Sequence, residues 1–92
     1  MNFGKALEIL KSGGAVQRTG WNGKGLWLCL QSPDVNSKMT LPYIYICYPS
    51  DAITTPGARV PWLASQTDML AEDWQPTVDS IVVNVIEPQP SA

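Results

Sequence analysis

The chain has 92 residues, 45% of them apolar, a formal net charge of −2 and no histidine. That length allows one domain, the apolar share excludes a disordered chain, and the charge offers no basic field for nucleic acid. Without histidine, Ser-His-Asp and Cys-His catalysis and histidine metal sites are excluded, and two cysteines alone build no thiolate zinc site.

The elements read as follows in chain order. Asn2 caps a helix over residues 3–11, with Phe3, Ala6, Leu7 and Leu10 on one face and Gly13-Gly14 as its stop. Residues 15–18 form a short strand, and 19–25 a glycine-rich turn. Residues 26–31 alternate, with Leu26, Leu28 and Leu30 on one face. Trp27 in this strand reads as core. Residues 32–38 are a polar loop, 39–48 a strand apolar on both faces, and 49–61 an exposed loop. Cys29 and Cys47 sit in apolar strands and read as small buried hydrophobes of a reducing compartment.

Ser65 opens a second, short helix, with Asp68 three residues on in a capping-box pattern and Met69 and Leu70 facing the core. Trp74-Gln75-Pro76 ends it. The β-branched stretch 80–86 predicts a last strand, and 87–92 a loose tail with two prolines. The expectation is an α+β fold over residues 1–92: a small antiparallel sheet with two helices in a single domain. So small a domain gains buried area by self-association, so it is expected to be oligomeric. No apolar run is long enough to span a bilayer, and the N-terminus enters an amphipathic pattern rather than a signal-peptide core. A soluble chain without a membrane partner is expected.

Charge is uneven. Residues 1–59 hold all six bases and three acids, net +3, and the remainder holds five acids and no base, net −5. Such asymmetry suits pairing of two halves or two subunits, and equally suits plain solvation.

Three tryptophans, Trp21, Trp62 and Trp74, lie in loops or at a helix end, beside polar residues. An exposed indole stacks on a base for roughly 1–3 kcal/mol; a buried one packs under a loop or at a subunit interface. Arg18, Asn22 and Lys24 gather with Trp21 around the glycine turn. Cations beside glycine amides suit a diphosphate, although the spacing is not that of a P-loop. Ser65, Gln66 and Thr67 stand at a helix N-terminus, where free amides attract anions. Asp68 and Glu72, four apart, share a helix face; accepting from a ribose or base edge suits Asp68 better than acid-base catalysis.

Met1-Asn2-Phe3-Gly4-Lys5-Ala6-Leu7 with Arg18-Thr19-Gly20-Trp21-Asn22-Gly23-Lys24-Gly25 resembles the phage Thoeris anti-defence proteins of the second type. The stretch from Val60-Pro61-Trp62 through Ser65-Gln66-Thr67-Asp68 to Glu72-Asp73-Trp74 is similar to that family's second signature. The resemblance implies a phage protein acting in the host bacterial cytoplasm. It implies binding of the cyclic ADP-ribose isomer made by Thoeris TIR enzymes, without cleavage, so that the effector is never switched on. It implies a homotetramer with sites where subunits meet, and, in some members, separate sites for cyclic dinucleotides. No cofactor, metal or catalytic residue is expected. On this mapping Trp21 and Trp74 flank the ligand, and Asn22 and Asp68 bond base or ribose. Ser65, Gln66 and Thr67 address the diphosphate, Arg18, Lys24 and Arg59 add charge, and Trp62 serves ligand or interface. Two other readings stand beside it: a nucleotide hydrolase using Asp68 and Glu72, and a structural or adaptor oligomer without a small ligand.

Overall fold

The computed structural model describes residues 1–21, 25–53 and 55–77. The strand expected over 80–86, the tail 87–92, and the side chains of Asn22 and Lys24 lie outside them.

Helix α1 (Phe3–Lys11) starts and stops for local reasons. The Asn2 side chain accepts from the Lys5 backbone N–H at 2.9 Å, satisfying one of the helix's orphan donors. At the other end Gly13 takes a φ of +98°. Its N–H bonds back to the Leu10 carbonyl, and the Gly14 N–H to the Ile9 carbonyl at 2.9 Å, which is the Schellman arrangement that glycine favours. Ala6 and Leu10 are buried against the sheet, with Phe3 and Leu7 beside them.

The strands are β1 (Val16–Arg18), β2 (Trp27–Gln31), β3 (Tyr43–Cys47), β4 (Arg59–Pro61) and, after helix α2 (Gln66–Leu70), β5 (Trp74–Pro76). They form one sheet in the order β4-β3-β2-β1-β5, with every neighbouring pair antiparallel. The antiparallel sheet with two helices is as the sequence predicts. Val16 and Leu28 face each other across β1 and β2 and meet α1 in the core, together with Trp74.

Four local expectations need correction. The strand expected over 39–48 is only Tyr43–Cys47, because Pro42 and Pro49 bracket it and supply no N–H to a ladder. The loop expected over 49–61 ends in a strand, β4, and the helix stop at 74–76 is itself a strand, β5. Both are three-residue edges, too short to show alternation. Each carries a proline at an outward position: ladder bonds fall on residues 58 and 62 of the β4 side and on 73 and 77 of the β5 side, so Pro61 and Pro76 cost no bond. Met69 and Leu70 do not face the core; Leu70 is 77% exposed.

Trp27 also differs from expectation. Leu28 and Leu30 face the core, so Trp27, Cys29 and Gln31 lie on the opposite sheet face, where Trp27 is half-buried. Cys47 is buried and Cys29 half-buried, both as free thiols. Burial, then the neighbouring Cys29, pushes the Cys47 thiol up to about 11, which keeps it protonated and unreactive at neutral pH.

Candidate functional site

The end of β1 is organised by one side chain. Arg18 Nε donates to Asp73 Oδ1 and its Nη1 to Asp68 Oδ1, both at 2.7 Å. Asp73 Oδ2 in turn accepts from the Gly20 backbone N–H at 2.8 Å and the Thr19 hydroxyl at 3.3 Å. Asp68 Oδ1 also accepts from Trp21 Nε1 at 3.2 Å. One guanidinium thus ties the turn after β1 to the segment that follows α2. A Cβ at position 20 would sit 2.8 Å from Asp73 Oδ2, so a side chain there would push that carboxylate away from the Gly20 N–H. The uneven charge of the sequence finds a use here: a base of the first half meets two acids of the second. Arg18 is therefore not the free cation that a diphosphate contact expects.

Trp74 lies in the core of the chain. It is 1% exposed, and its Nε1 donates to the Asp68 carbonyl at 2.9 Å. Phe3, Trp21 and Trp62 surround it at ring-centroid distances of 5.3, 5.4 and 6.1 Å. Within one chain it is a core residue, with no open face for a ligand. Trp21 stands edge-on to it at 80° and is half-buried. Trp62 is also half-buried, between Trp74 and Phe3.

A cleft of about 240 Å³ opens beside Trp21, lined by Gln17, Arg18, Thr19, Gly25, Leu26 and Gln75. The sequence reading missed Gln17, Leu26 and Gln75. The polar residue at position 17, between buried Val16 and Arg18, was the available signal. Ser65 caps α2 as expected, its Oγ accepting from the Asp68 N–H at 3.0 Å; Gln66 and Thr67 are exposed on the first turn. Asp68 Oδ1 accepts from both Arg18 and Trp21. Glu72 lies past the end of α2 at Leu70, so Asp68 and Glu72 do not share a helix face. Arg59 sits on β4, three strands from β1, and lines a separate cleft of about 140 Å³ with Gln31, Tyr43, Tyr45 and Pro61. Within one chain it does not join Arg18 and Trp21.

The network sets an acid limit. Partial burial raises the Asp68 carboxyl, but hydrogen bonds from Arg18, Trp21 and Ser65 and the Arg18 charge outweigh it and hold the group below its usual range. The Arg18 hydrogen bond, opposed by some desolvation and aided by the Gly20 N–H, does the same for Asp73. A depressed folded-state pKa stabilises the fold above the unfolded value of about 3.9, and that stabilisation is lost as pH falls through the folded values. The denaturant midpoint should therefore hold steady on this account from neutral pH down to about 5 and drop below about pH 4. A midpoint unchanged down to pH 2 would count against the network.

Among the described residues, no group of three or more ligating side chains gathers for a metal, and no helix is long and apolar enough to cross a membrane. What the fold and site define is a two-layer α+β domain with a tryptophan-lined cleft. The family model described as the Thoeris anti-defense 2-like domain matches residues 1–76. A protein named Thoeris anti-defense 2, from Bacillus phage SP01, is 39% identical over 87 residues, covering 80% of this chain and 91% of the relative. The chain belongs to the Thoeris anti-defense 2-like family.

Proposed function

We propose that the protein captures a cyclic ADP-ribose isomer made by Thoeris TIR enzymes and holds it uncleaved, so that the defence effector stays off. Family membership supports the anti-defence role. The observation that carries the finer reading is the cleft beside Trp21. Its indole is held by Asp68 and braced edge-on by Trp74, so it offers a fixed surface for a base at little entropic cost. Asn22 and Lys24 follow it in the chain and serve as base and phosphate contacts, with Ser65, Gln66 and Thr67 as further polar donors.

At about 240 Å³, the cleft is smaller than the usual ligand pocket of about 300–1,000 Å³. It serves as part of a site that a second subunit completes, which supports a homo-oligomer, a tetramer on the family pattern, working in the host cytoplasm. The mechanism is mass action: the trap must outnumber the signal and outbind the effector. A second reading concerns Arg59. Its cleft with Tyr43 and Tyr45, at the other side of the sheet, would take a cyclic dinucleotide as an additional ligand.

Mixing the protein with the cyclic ADP-ribose isomer and then heating it should return intact ligand in stoichiometric amount. Trp21→Ala should fold normally and weaken capture about 5- to 150-fold, the loss of one stacked base. Return of a cleaved product, or full capture by Trp21→Ala, would overturn the reading.

A further inference from the structure

Strand β1 lies between β2 and β5, and its middle residue, Gln17, stands directly opposite Gln75 of β5. Gln17 follows buried Val16, and Gln75 follows buried Trp74, so both side chains take the sheet face away from the core. Both are half-buried, and both line the Trp21 cleft. Opposed Cβ atoms of an antiparallel pair stand roughly 4.5–5.5 Å apart, so two primary amides share one side of the cleft.

Among the described residues neither amide has a hydrogen-bond partner. Their polar neighbours in the lining are committed. Arg18 gives Nε and Nη1 to Asp73 and Asp68. The Thr19 hydroxyl donates to Asp73, and Trp21 Nε1 to Asp68. Gly25 and Leu26 bring no polar side-chain atom. What the cleft offers a base edge is therefore the amide pair.

That chemistry selects among bases. A primary amide presents an acceptor beside a donor. Adenine answers with its N6 amine beside N7, whereas guanine and hypoxanthine present two acceptors there, O6 and N7, which suit a guanidinium. The guanidinium of this lining is already forked onto two carboxylates. Both glutamines sit on paired strands, which place a side chain more closely than a loop does.

We propose that Gln17 and Gln75 read the N6–N7 edge of the base that stacks on Trp21, and so make the cleft select adenine over hypoxanthine and guanine. One amide takes the edge, and the other, donating to that amide's oxygen, fixes its sense. This rests on capture of the cyclic ADP-ribose isomer as proposed above and adds its base specificity. Trp21 stacks on any base; the amides choose among them.

Calorimetry on the full chain compares the cyclic ADP-ribose isomer with two analogues: the hypoxanthine form, with O6 in place of the amine, and the 7-deaza form, with C–H in place of N7. The parent should bind the adenine form about 5- to 150-fold more tightly than the hypoxanthine form, and the 7-deaza form more weakly than the adenine form. Gln17→Met with Gln75→Met, both at half-buried positions, should keep the parent's urea midpoint and bind all three forms alike. Trp21→Ala should weaken adenine and hypoxanthine forms together and preserve their ratio. Equal binding of the adenine form and either analogue by the parent, or an undiminished preference in the double variant, overturns the amide assignment and leaves capture standing. A parent that binds none of the three overturns capture, and the assignment with it.

Discussion

Trp74→Ala is expected to unfold the domain rather than empty a ligand site. The side chain is fully buried, packs on three other aromatic rings, and bonds the Asp68 carbonyl through its indole. Truncating such a residue costs about 3–5 kcal/mol, because the cavity it leaves does not collapse. A domain this small sits at the low end of the about 5–15 kcal/mol that native proteins hold, so most of the margin goes. The loss spreads, since β5 carries Trp74 and the chain's own N-terminus is bonded to its backbone. Urea titration followed by far-UV circular dichroism should show a midpoint near zero for Trp74→Ala. Trp21→Ala should keep a clear transition, because its half-buried ring lies at the rim of the same cluster. A Trp74→Ala protein with the parent midpoint and no ligand capture would return Trp74 to the ligand wall.

The contrast between these two tryptophans shows where sequence reasoning reaches and where it stops. Helix α1 was legible to its ends because cap, apolar spacing and glycine stop all lie in thirteen consecutive residues, Asn2 to Gly14. Strand β2 was legible because five residues suffice to show alternation. Strands β4 and β5 were not, since three residues carry no period and both hold a proline that usually argues against a strand. Trp74 stands between Asp73 and Gln75, with Glu72 and Pro76 beyond them, so its neighbours suggest a wet surface. Its burial comes from β1, 55 or more residues earlier, which fixes the strand that turns it inward. Met69 and Leu70 misled in the opposite direction. A five-residue helix is placed by a few contacts, and here those include Asp68 to Arg18 and Trp21 and, through its carbonyl, to Trp74. Of the site, Trp21 and its polar neighbours were visible as a cluster. That Arg18 is committed to two carboxylates was not, because Asp68 and Asp73 are distant in sequence and look like solvated acids.

That commitment leads to the second large effect. Arg18→Met keeps much of the stem's packing and removes both charge-assisted bonds, leaving Asp68 and Asp73 without their cation. Hydrogen bonds to charged groups contribute about 1.5–3 kcal/mol each. The Arg18 side chain is 16% exposed, so water recovers part of this, and the denaturant midpoint is expected to fall by a measurable amount. The pH dependence separates this cause from lost packing. In the parent protein, acid removes stabilisation by protonating carboxylates that Arg18 holds charged. In Arg18→Met those carboxylates have no cation to gain from, so the parent and variant midpoints should converge as pH falls below about 4. A constant gap between the two curves down to pH 2 would assign the loss to packing alone. Capture should weaken in the same variant, because the turn that presents Trp21 is tied down by Asp73 at Gly20 and by Asp68 at the indole itself. Asp73→Asn offers the matching control: its effect on the midpoint should be smaller in the Arg18→Met background than in the parent, the coupling expected of one shared network.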